Sequence, residues 1–166
     1  MPEALCVSPW ALTTFVDDVR RHGQLARETG AFFLTAPEHR DVTVVALAGE
    51  SGIERAYGRF VIGLPAIDKV FSYAEERGLQ VRAMLHSHPR SAFLSRTDLR
   101  YSLRVRGFVN AVVPNFAAPP SSPADWGWWQ YDGEWAVCSP AVADASCPSA
   151  CVVTFDAEGV RELYEH

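Results

Sequence analysis

Residues 79–89, LQVRAMLHSHP, form an apolar run that ends in two histidines one residue apart. The run has the length of a buried β-strand, and alternate residues of a strand point to the same face of the sheet. His86 and His88 are therefore expected to project together from the end of a strand, while Ser87 points to the other face. Two imidazoles placed in this way can share a tetrahedral zinc ion. The alternative is that they are two polar residues at a strand end.

Strand-like and helix-like patterns alternate on both sides of this run. The predicted helices are residues 10–22, 66–78, 95–107 and a short one from about Ala157. The predicted strands are residues 28–36, 42–49, 58–64, 79–89, 107–114 and 151–155, together with a hairpin over 126–138 that turns at Asp132-Gly133. This order predicts an α/β fold, a mixed sheet flanked by helices, in a single domain over residues 1–166.

The charge of the chain argues against nucleic acid as a partner. The 166 residues carry a formal net charge of −5, with no block of Lys or Arg. Binding to phosphates requires a concentrated basic surface. The nearest approach to one is the set Arg96, Arg100, Arg104 and Arg106, which a solvated helix face also explains.

The sequence predicts neither an export signal nor a membrane span. Its first residues, MPEALCVSPW, lack a basic segment followed by an apolar run, and no stretch approaches the ~18 apolar residues of a span. We therefore expect a soluble cytoplasmic protein without a membrane partner. Its four cysteines are expected to be reduced thiols, and a second zinc site at the last two is the alternative: Cys6, Cys138, Cys147 and Cys151.

Two segments in the second half of the chain bear on partners. Residues 115–125, NFAAPPSSPAD, predict a flexible Pro/Ser-rich loop. Because it follows the strand next to the histidines, it is either a clamp for an extended peptide or an ordinary surface loop. The hairpin over 126–138 carries aromatic residues on both faces, which indicates packing against another layer or against the second subunit of a homodimer.

A catalytic zinc ion needs a third protein ligand and a position for water. Asp98 lies in the first turn of the helix that follows the histidines and can reach back toward the strand end. The spacing from Ser95 to Asp98 also matches a capping box, in which an acidic residue returns to the start of its helix. The two functions are compatible. The residues therefore predict a site formed by His86, His88 and Asp98.

A zinc hydrolase also uses a carboxylate outside the ligand set to accept a proton. Four acidic residues lie at the ends of predicted strands: Glu28, Asp41, Glu50 and Glu54. Glu28 begins the strand ETGAFFL, beside a small residue that allows close approach of the backbone. The residue pattern by itself does not distinguish among the four.

The combination of E-T-G-x-x-x-L from Glu28, H-S-H-P from His86 and S-x-x-D from Ser95 resembles the JAMM/MPN+ metalloprotease family, also called JAB or Mov34. The similarity extends from about Glu28 to Val113, roughly half of the chain. It implies the JAB/MPN fold, a curved mixed sheet in a cytidine-deaminase-like α-β-α architecture. The small size of the chain is similar to that of the prokaryotic branch.

The resemblance also implies a role for five residues. His86, His88 and Asp98 correspond to the ligands of one catalytic Zn²⁺, Glu28 to the catalytic glutamate, and Ser95 to the serine that helps to stabilise the tetrahedral intermediate. The chain departs from the family pattern in one place, because six residues rather than the usual seven separate His88 from Ser95. The approach of Asp98 to the histidines therefore has to be established from the structure.

The activity implied by the resemblance is that of an (iso)peptidase. Its substrate would be the amide bond after the C-terminal tail of a ubiquitin-like protein, cleaved for precursor processing or deconjugation. One alternative is the release of an amino acid from a sulfur-carrier protein in biosynthesis. Two others are a non-catalytic scaffold of the same fold and a role associated with DNA repair, which the charge balance disfavours.

Overall fold

The centre of the structure, a computed structural model that describes residues 4–163, is a mixed sheet of eight strands. The ten strands of the chain are β1 (Gly30–Thr35), β2 (Val42–Ala48), β3 (Ile53–Ala56), β4 (Arg59–Ile62), β5 (Gln80–Ser87), β6 (Val109–Val113), β7 (Gly127–Tyr131), β8 (Trp135–Val137), β9 (Cys151–Asp156) and β10 (Gly159–Leu163). Eight are joined in the order β10-β9-β2-β1-β5-β6-β7-β8, with β2–β9 and β5–β6 parallel and the other pairs antiparallel. Strand β5 lies inside the sheet, between β1 and β6, and its last three residues are buried.

Helices cover the two faces of this sheet. Helix α1 (Pro9–Gly23) packs Phe15 into the apolar core on one face, and α2 (Leu64–Glu76) packs Val70 into the core on the other. Both helices have the apolar spacing that the sequence predicted. A short helix, α3 (Arg96–Tyr101), follows the histidine strand. The predicted fold class, an α/β fold with a mixed sheet flanked by helices, is confirmed.

The predicted helix over 95–107 is wrong beyond its second turn. Helix α3 ends at Tyr101, and Ser102 already has extended backbone angles. The Ser102 hydroxyl donates to the Asp98 carbonyl at 2.5 Å and accepts from the Asn110 side-chain amide at 3.0 Å. These bonds link Ser102 to Asn110 of β6, and residues 102–107 form neither helix nor strand. No helical pattern reveals a contact of this kind.

The predicted helix from Ala157 is also wrong, because residues 159–163 form the edge strand β10. The Asp156 carboxylate accepts from the Glu158 backbone N–H at 2.9 Å and so stabilises a tight turn. Gly159 follows with a φ of 139°, a conformation that favours glycine. Strand β10 then pairs antiparallel with β9. The turn residues therefore outweigh the weak helical pattern of the tail.

One predicted strand, 58–64, belongs to a separate two-stranded sheet. It is present as β4, which pairs antiparallel with β3, a strand that the sequence analysis missed. The turn between them contains Tyr57 and Gly58, and Gly58 has a φ of 79°. The backbone N–H of Glu28 donates to the Ala56 carbonyl at 3.1 Å, which fixes the hairpin next to the start of β1. The hairpin thereby becomes one wall of the site described below.

The expectation of four reduced cysteines is wrong for two of them. Cys6 and Cys147 form a disulfide with a Cα–Cα distance of 5.5 Å, whereas Cys138 and Cys151 are free. Cys6 lies between Asp41 and Val142 in a parallel bridge to each, so backbone pairing brings the N-terminal segment next to the segment before β9. The two cysteines are 141 residues apart in sequence, a separation from which no spacing rule predicts a pair.

The Pro/Ser-rich segment 115–125 is anchored to the rest of the structure at several points. The Phe116 side chain is buried, with its ring edge-on to Tyr57 at 5.8 Å. The indole N–H groups of Trp126 and Trp128 donate to the carbonyls of Pro120 and Pro123 at 2.9 and 2.7 Å. Trp128 lies on β7, and Trp126 directly precedes this strand. In the part of the chain that the structure describes, none of the helices has the length and apolarity to cross a membrane.

Candidate metal centre

Strand β5 and helix α3 bring three polar side chains to one point. The Nε2 atoms of His86 and His88 are 3.1 Å apart, and they lie 3.0 Å from Oδ1 and 3.2 Å from Oδ2 of Asp98, respectively. The three side chains are 3%, 6% and 10% exposed. The loop with one residue fewer therefore still allows Asp98 to reach the histidines. Among the described residues, this is the one cluster with the composition and spacing of a metal-ligand set.

The nitrogen and oxygen atoms of this cluster are arranged more suitably for binding a shared cation than for hydrogen bonding to one another. The Nδ1 atom of His88 lies 3.2 Å from the Ser91 carbonyl, an acceptor that holds the proton on Nδ1. When His88 is neutral, this tautomer leaves a lone pair on Nε2, which faces both Nε2 of His86 and the Asp98 carboxylate; when His88 is protonated, Nε2 instead donates to Asp98. Tetrahedral zinc with bonds of about 2.0–2.1 Å separates its ligand atoms by about 3.3 Å, close to the distances found here.

Electrostatics within the cluster keep Asp98 ionised. Burial opposes its charge, but hydrogen bonds from His86 and His88, the charge of His86, and the backbone N–H of Ser95 together lower the pKa of Asp98 far below its ordinary value. For His88, burial again opposes the charged form, whereas the hydrogen bond to Asp98 and the negative charges of Asp98 and Glu28 raise the pKa of the imidazole. An ionised carboxylate is the form that binds a metal.

Ser95 and Asp98 also form the capping box that the sequence predicted. The Ser95 hydroxyl oxygen accepts from the Asp98 backbone N–H at 3.0 Å, and Oδ2 of Asp98 accepts from the Ser95 backbone N–H at 2.8 Å. The box fixes the carboxylate at the start of α3 and directs it toward β5. Helix capping therefore positions the Asp98 carboxylate beside the histidines.

Glu28 lies two residues before the start of β1 and lines the same cavity as His88. Its residue is 3% exposed, and Gly30, two positions later, pairs with His86 across the strands. Burial raises the pKa of Glu28 to about 7, with His88 lowering it and Asp98 raising it. The other three candidate carboxylates lie outside the cavity lining: Asp41, Glu50 and Glu54. The tertiary structure thereby distinguishes Glu28 from the alternatives that the residue pattern left open.

Three residues with a structural role at the site were missed by the sequence analysis. Ser87 exchanges hydrogen bonds with the backbone of Thr29, which follows Glu28 in the chain. The Arg55 side chain, 3% exposed, donates from Nε to the Thr29 hydroxyl at 3.2 Å and from its terminal nitrogen to the Ala48 carbonyl at 2.6 Å. Only the alternation of strand residues, which turns Ser87 away from the histidines, gave a signal for any of these contacts.

The structure explains why a glycine, Gly30, is needed two residues after Glu28. A Cβ atom at this position would lie 2.4 Å from the Leu85 carbonyl oxygen and 2.7 Å from the ring of Phe60. Both distances are shorter than side chains tolerate, so β1, β5 and β4 can approach one another here only because the residue is glycine. The close approach brings Glu28 and the histidines to the same end of the sheet.

The cavity beside the cluster has a volume of about 310 Å³. Glu28 and His88 line this cavity, and the rest of its lining comes from the β3–β4 turn and from the segment between β5 and α3: Tyr57, Gly58, Pro89, Arg90, Ser91, Phe93 and Ser95. Among the lining residues, Tyr57 and Phe93 are largely exposed, at 61% and 50%. A larger cavity of about 440 Å³, between the N-terminal segment and β7–β8, contains none of the residues of the metal cluster.

Comparisons with known proteins give one sequence match of limited extent. No protein-family model matches the chain. A probable metalloprotease of Sinorhizobium fredii is 46% identical over 46 residues, which is 27% of this chain and 28% of that protein. The match therefore spans less than a third of the curated relative. It agrees with the resemblance that the motifs indicate.

Solved structures give matches over most of the chain. A solution structure of a protein from Desulfitobacterium hafniense has a TM-score of 0.64 at 13% identity, covering 84% of this chain and 92% of that one. A JAB1/MPN domain protein from Archaeoglobus fulgidus has a TM-score of 0.47 at 18% identity, covering 86% and 99%. A protein from Salinibacter ruber has the same TM-score at 25% identity, covering 82% and 93%. The first of these shows that a similar fold occurs in a solved protein over most of the chain.

Proposed function

We propose that the chain is a zinc peptidase of the JAMM/MPN+ type that cleaves the amide bond after the C-terminal tail of a ubiquitin-like protein. The observation that carries the proposal is the convergence of His86, His88 and Asp98 beside the buried carboxyl of Glu28 at one cavity. The sequence match to a probable metalloprotease supports the same class of activity.

The ligand set consists of two imidazoles and one carboxylate, a combination that catalytic zinc sites use when a position is left for water. A bound zinc ion would supply Lewis-acid chemistry, lowering the pKa of a water molecule and polarising the carbonyl of the substrate. Two histidines and one carboxylate also occur in non-haem iron sites. Metal analysis of the purified protein therefore has to distinguish zinc from iron.

Glu28 is placed to move protons during the reaction. A carboxyl with a pKa of about 7 exchanges its proton readily near neutral pH, which is what a group that acts first as base and then as acid requires. In the proposed mechanism Glu28 accepts a proton from the attacking water and delivers it to the leaving amine. Its burial beside His88 leaves little of the Glu28 side chain in contact with bulk water.

Ser95 is placed to stabilise negative charge on the substrate. Its hydroxyl oxygen accepts from the Asp98 backbone N–H, so the hydroxyl proton is not used in the cap and is available to the cavity that Ser95 lines. A hydroxyl donor aimed at a developing oxyanion stabilises the transition state more than the ground state. Ser95 thus combines helix capping with the second role that the family resemblance implies.

The test uses purified protein loaded with zinc and ubiquitin-like fusions that end in Gly-Gly followed by a reporter, joined through either a peptide or a lysine isopeptide bond. Glu28→Gln is expected to lower the cleavage rate by a factor of 100 or more, on the order of the known contribution of general bases. Its zinc content should equal that of the parent protein. Glu54→Gln is the matched control, since Glu54 is exposed and paired with Arg59 outside the cavity.

The outcomes separate the alternatives. Zinc-dependent cleavage that Glu28→Gln abolishes and Glu54→Gln leaves intact supports the proposal. Release of a single amino acid from a sulfur-carrier protein, with no cleavage of the fusions, would assign the site to biosynthesis. Iron bound in place of zinc would overturn the zinc assignment. A protein that binds no metal and cleaves nothing would overturn the peptidase and favour the scaffold.

A further inference from the structure

The segment that joins the histidine strand to β6 carries an unusual concentration of arginine. Residues 90–106 contain five arginines and one acidic residue, Asp98, in a chain whose formal net charge is −5. Four of these arginines, which we call the arginine surface, are exposed and form no ion pair with any described residue: Arg90, Arg96, Arg100 and Arg104. The fifth, Arg106, is paired with Asp132.

Among the described residues, the arginines that are both exposed and without an ion pair all lie in this region. Arg27, Arg40 and Arg82 also form no ion pair, but they are only partly exposed. Elsewhere several arginines lie within ion-pair distance of a carboxylate: Arg20, Arg21, Arg55, Arg59, Arg77 and Arg161. Asp98 cannot neutralise the arginine surface, because its oxygens already contact His86, His88 and the Ser95 backbone N–H. Positive charge therefore accumulates on this surface without internal compensation.

The arginine surface begins at the metal centre. Arg90 lines the same cavity as Glu28, and Arg96 directly follows Ser95 at the start of α3. Arg96 and Arg100 are four residues apart on α3 and so share one helix face, where two like charges destabilise the helix by about 0.2–0.5 kcal/mol. The helix ends before Arg104, so the four arginines are not simply one solvated helix face. The charges continue from the cavity along the chain toward β6.

We propose that the arginine surface binds an acidic segment of the protein substrate, adjacent to the bond that is cleaved. As a statement about the substrate, this rests on the proposed peptidase function. Glutamate or aspartate side chains next to the cleaved amide would pair with Arg90, and those further along would pair with Arg96 and Arg100. Guanidinium groups bind carboxylates through two parallel hydrogen bonds, which gives orientation as well as attraction. The surface therefore selects substrates and aligns them over the cavity.

A short acidic peptide fits the charge distribution better than a nucleic acid does. The rest of the chain is acidic overall, since the four unpaired arginines contribute four positive charges to a total of −5. A long polyanion would extend beyond the arginine surface into this repulsive field, whereas an acidic peptide segment can end where the surface ends. Steering by opposite charge would also accelerate association, an effect that salt suppresses.

The experiment measures binding by fluorescence anisotropy, with a labelled peptide of alternating Gly and Glu and the same peptide with Gln in place of Glu. The protein carries Glu28→Gln, so that no peptide is cleaved. The double variant Arg96→Gln/Arg100→Gln is compared with Arg20→Gln/Arg77→Gln, which makes the same change in net charge at exposed arginines that have carboxylate partners. Titrations are made at about 0.05 M and about 0.5 M salt. The electrostatic screening length is ~10 Å at about 0.1 M, so charge–charge attraction is weakly screened at the lower concentration and strongly screened at the higher one.

We expect the acidic peptide to bind at least about tenfold more tightly than the Gln peptide at low salt, and the preference to disappear at high salt. Arg96→Gln/Arg100→Gln should abolish the preference, whereas Arg20→Gln/Arg77→Gln should keep it. Equal losses in the two double variants, no preference at low salt, or tighter binding of a single-stranded oligonucleotide than of the acidic peptide would each overturn the inference. Binding is measured without turnover, so the two proposals fail separately. A protein that prefers the acidic peptide but cleaves no fusion would refute only the peptidase. A protein that cleaves the fusions but has no preference for the acidic peptide would refute only the role of the arginine surface.

Discussion

The side chain of Ser87 and the backbone of Thr29 are joined by two hydrogen bonds on the face of the sheet opposite the metal centre. The Ser87 hydroxyl accepts from the Thr29 N–H at 3.0 Å and donates to the Thr29 carbonyl at 3.3 Å, and that carbonyl also accepts from the Ser87 N–H at 2.9 Å. Ser87 separates the two histidines, and Thr29 follows Glu28. The link therefore sets the position of the candidate base relative to the candidate ligands.

Removing this hydroxyl should reduce activity more than it reduces zinc binding. Ser87→Ala leaves the buried Thr29 N–H without its partner, and we expect a loss of about 1–3 kcal/mol in the free energy of unfolding. A shift of Glu28 away from the reacting water should lower kcat by about tenfold or more, with zinc content unchanged. Ser87→Thr keeps the hydroxyl and should restore kcat. Equal kcat in Ser87→Ala and the parent protein would refute a positioning role for Ser87.

Asp98 can be tested separately for capping and for metal binding. Asp98→Asn preserves the shape of the side chain and an oxygen that can accept from the Ser95 N–H, but it removes the negative charge. We expect zinc affinity to fall by at least about 100-fold, since changes even outside the ligand set cost 10–100-fold. Circular dichroism should show the fold retained. Asp68→Asn, on the exposed side of α2, is the matched control and should bind zinc normally; unchanged affinity in Asp98→Asn would exclude Asp98 as a ligand.

His22 at the end of α1 should make stability depend on pH. Burial and the positive charges of Arg55, Arg27 and Arg21 lower its pKa from 6.5 to about 4 in the folded protein. Between these values the unfolded chain binds a proton and the folded protein does not. The contribution of neutral His22 to the free energy of unfolding is therefore complete above about pH 6.5. As the pH decreases toward 4, this contribution is lost and the free energy of unfolding falls by roughly 2–3 kcal/mol.

The contribution of His22 is isolated by comparing unfolding in urea at several pH values. His22→Gln cannot titrate at this position. When the pH is lowered from 6.5 to 4, its free energy of unfolding should therefore fall by roughly 2–3 kcal/mol less than that of the parent protein. His39→Gln changes an exposed histidine outside α1 and serves as the control. A slope that is the same in His22→Gln and in the parent protein would contradict the prediction.

The disulfide between Cys6 and Cys147 should contribute substantially to stability. It closes a loop of 141 residues, and the chain-entropy estimate for a loop of this size is on the order of 3–5 kcal/mol. Cys6→Ser/Cys147→Ser should lose about that free energy of unfolding, whereas Cys138→Ser/Cys151→Ser should lose less. A thiol assay on the denatured, unreduced protein should detect two free thiols, and a count of four would refute the bridge.

Much of the architecture and of the ligand set could be predicted from local sequence patterns. The alternation of residues in β5 places His86 and His88 on one face, and the Ser95–Asp98 spacing predicts a capping box, because both depend on neighbours within a few residues. The apolar spacing of α1 and α2 and the Asp-Gly turn between β7 and β8 are local in the same sense. These features follow from backbone geometry that each segment carries with it.

Only the tertiary structure decided how distant segments combine. Glu28 could not be distinguished from three other carboxylates by residue pattern, because its burial depends on β5 and on the β3–β4 hairpin. The Cys6–Cys147 bridge joins the two ends of the chain, and α3 ends early because Ser102 bonds to β6. Likewise, the arginines of the arginine surface lack ion-pair partners because the fold places no carboxylate of the described residues within reach of them. Contacts between residues far apart in sequence are set by how the whole chain packs, so no local pattern encodes them.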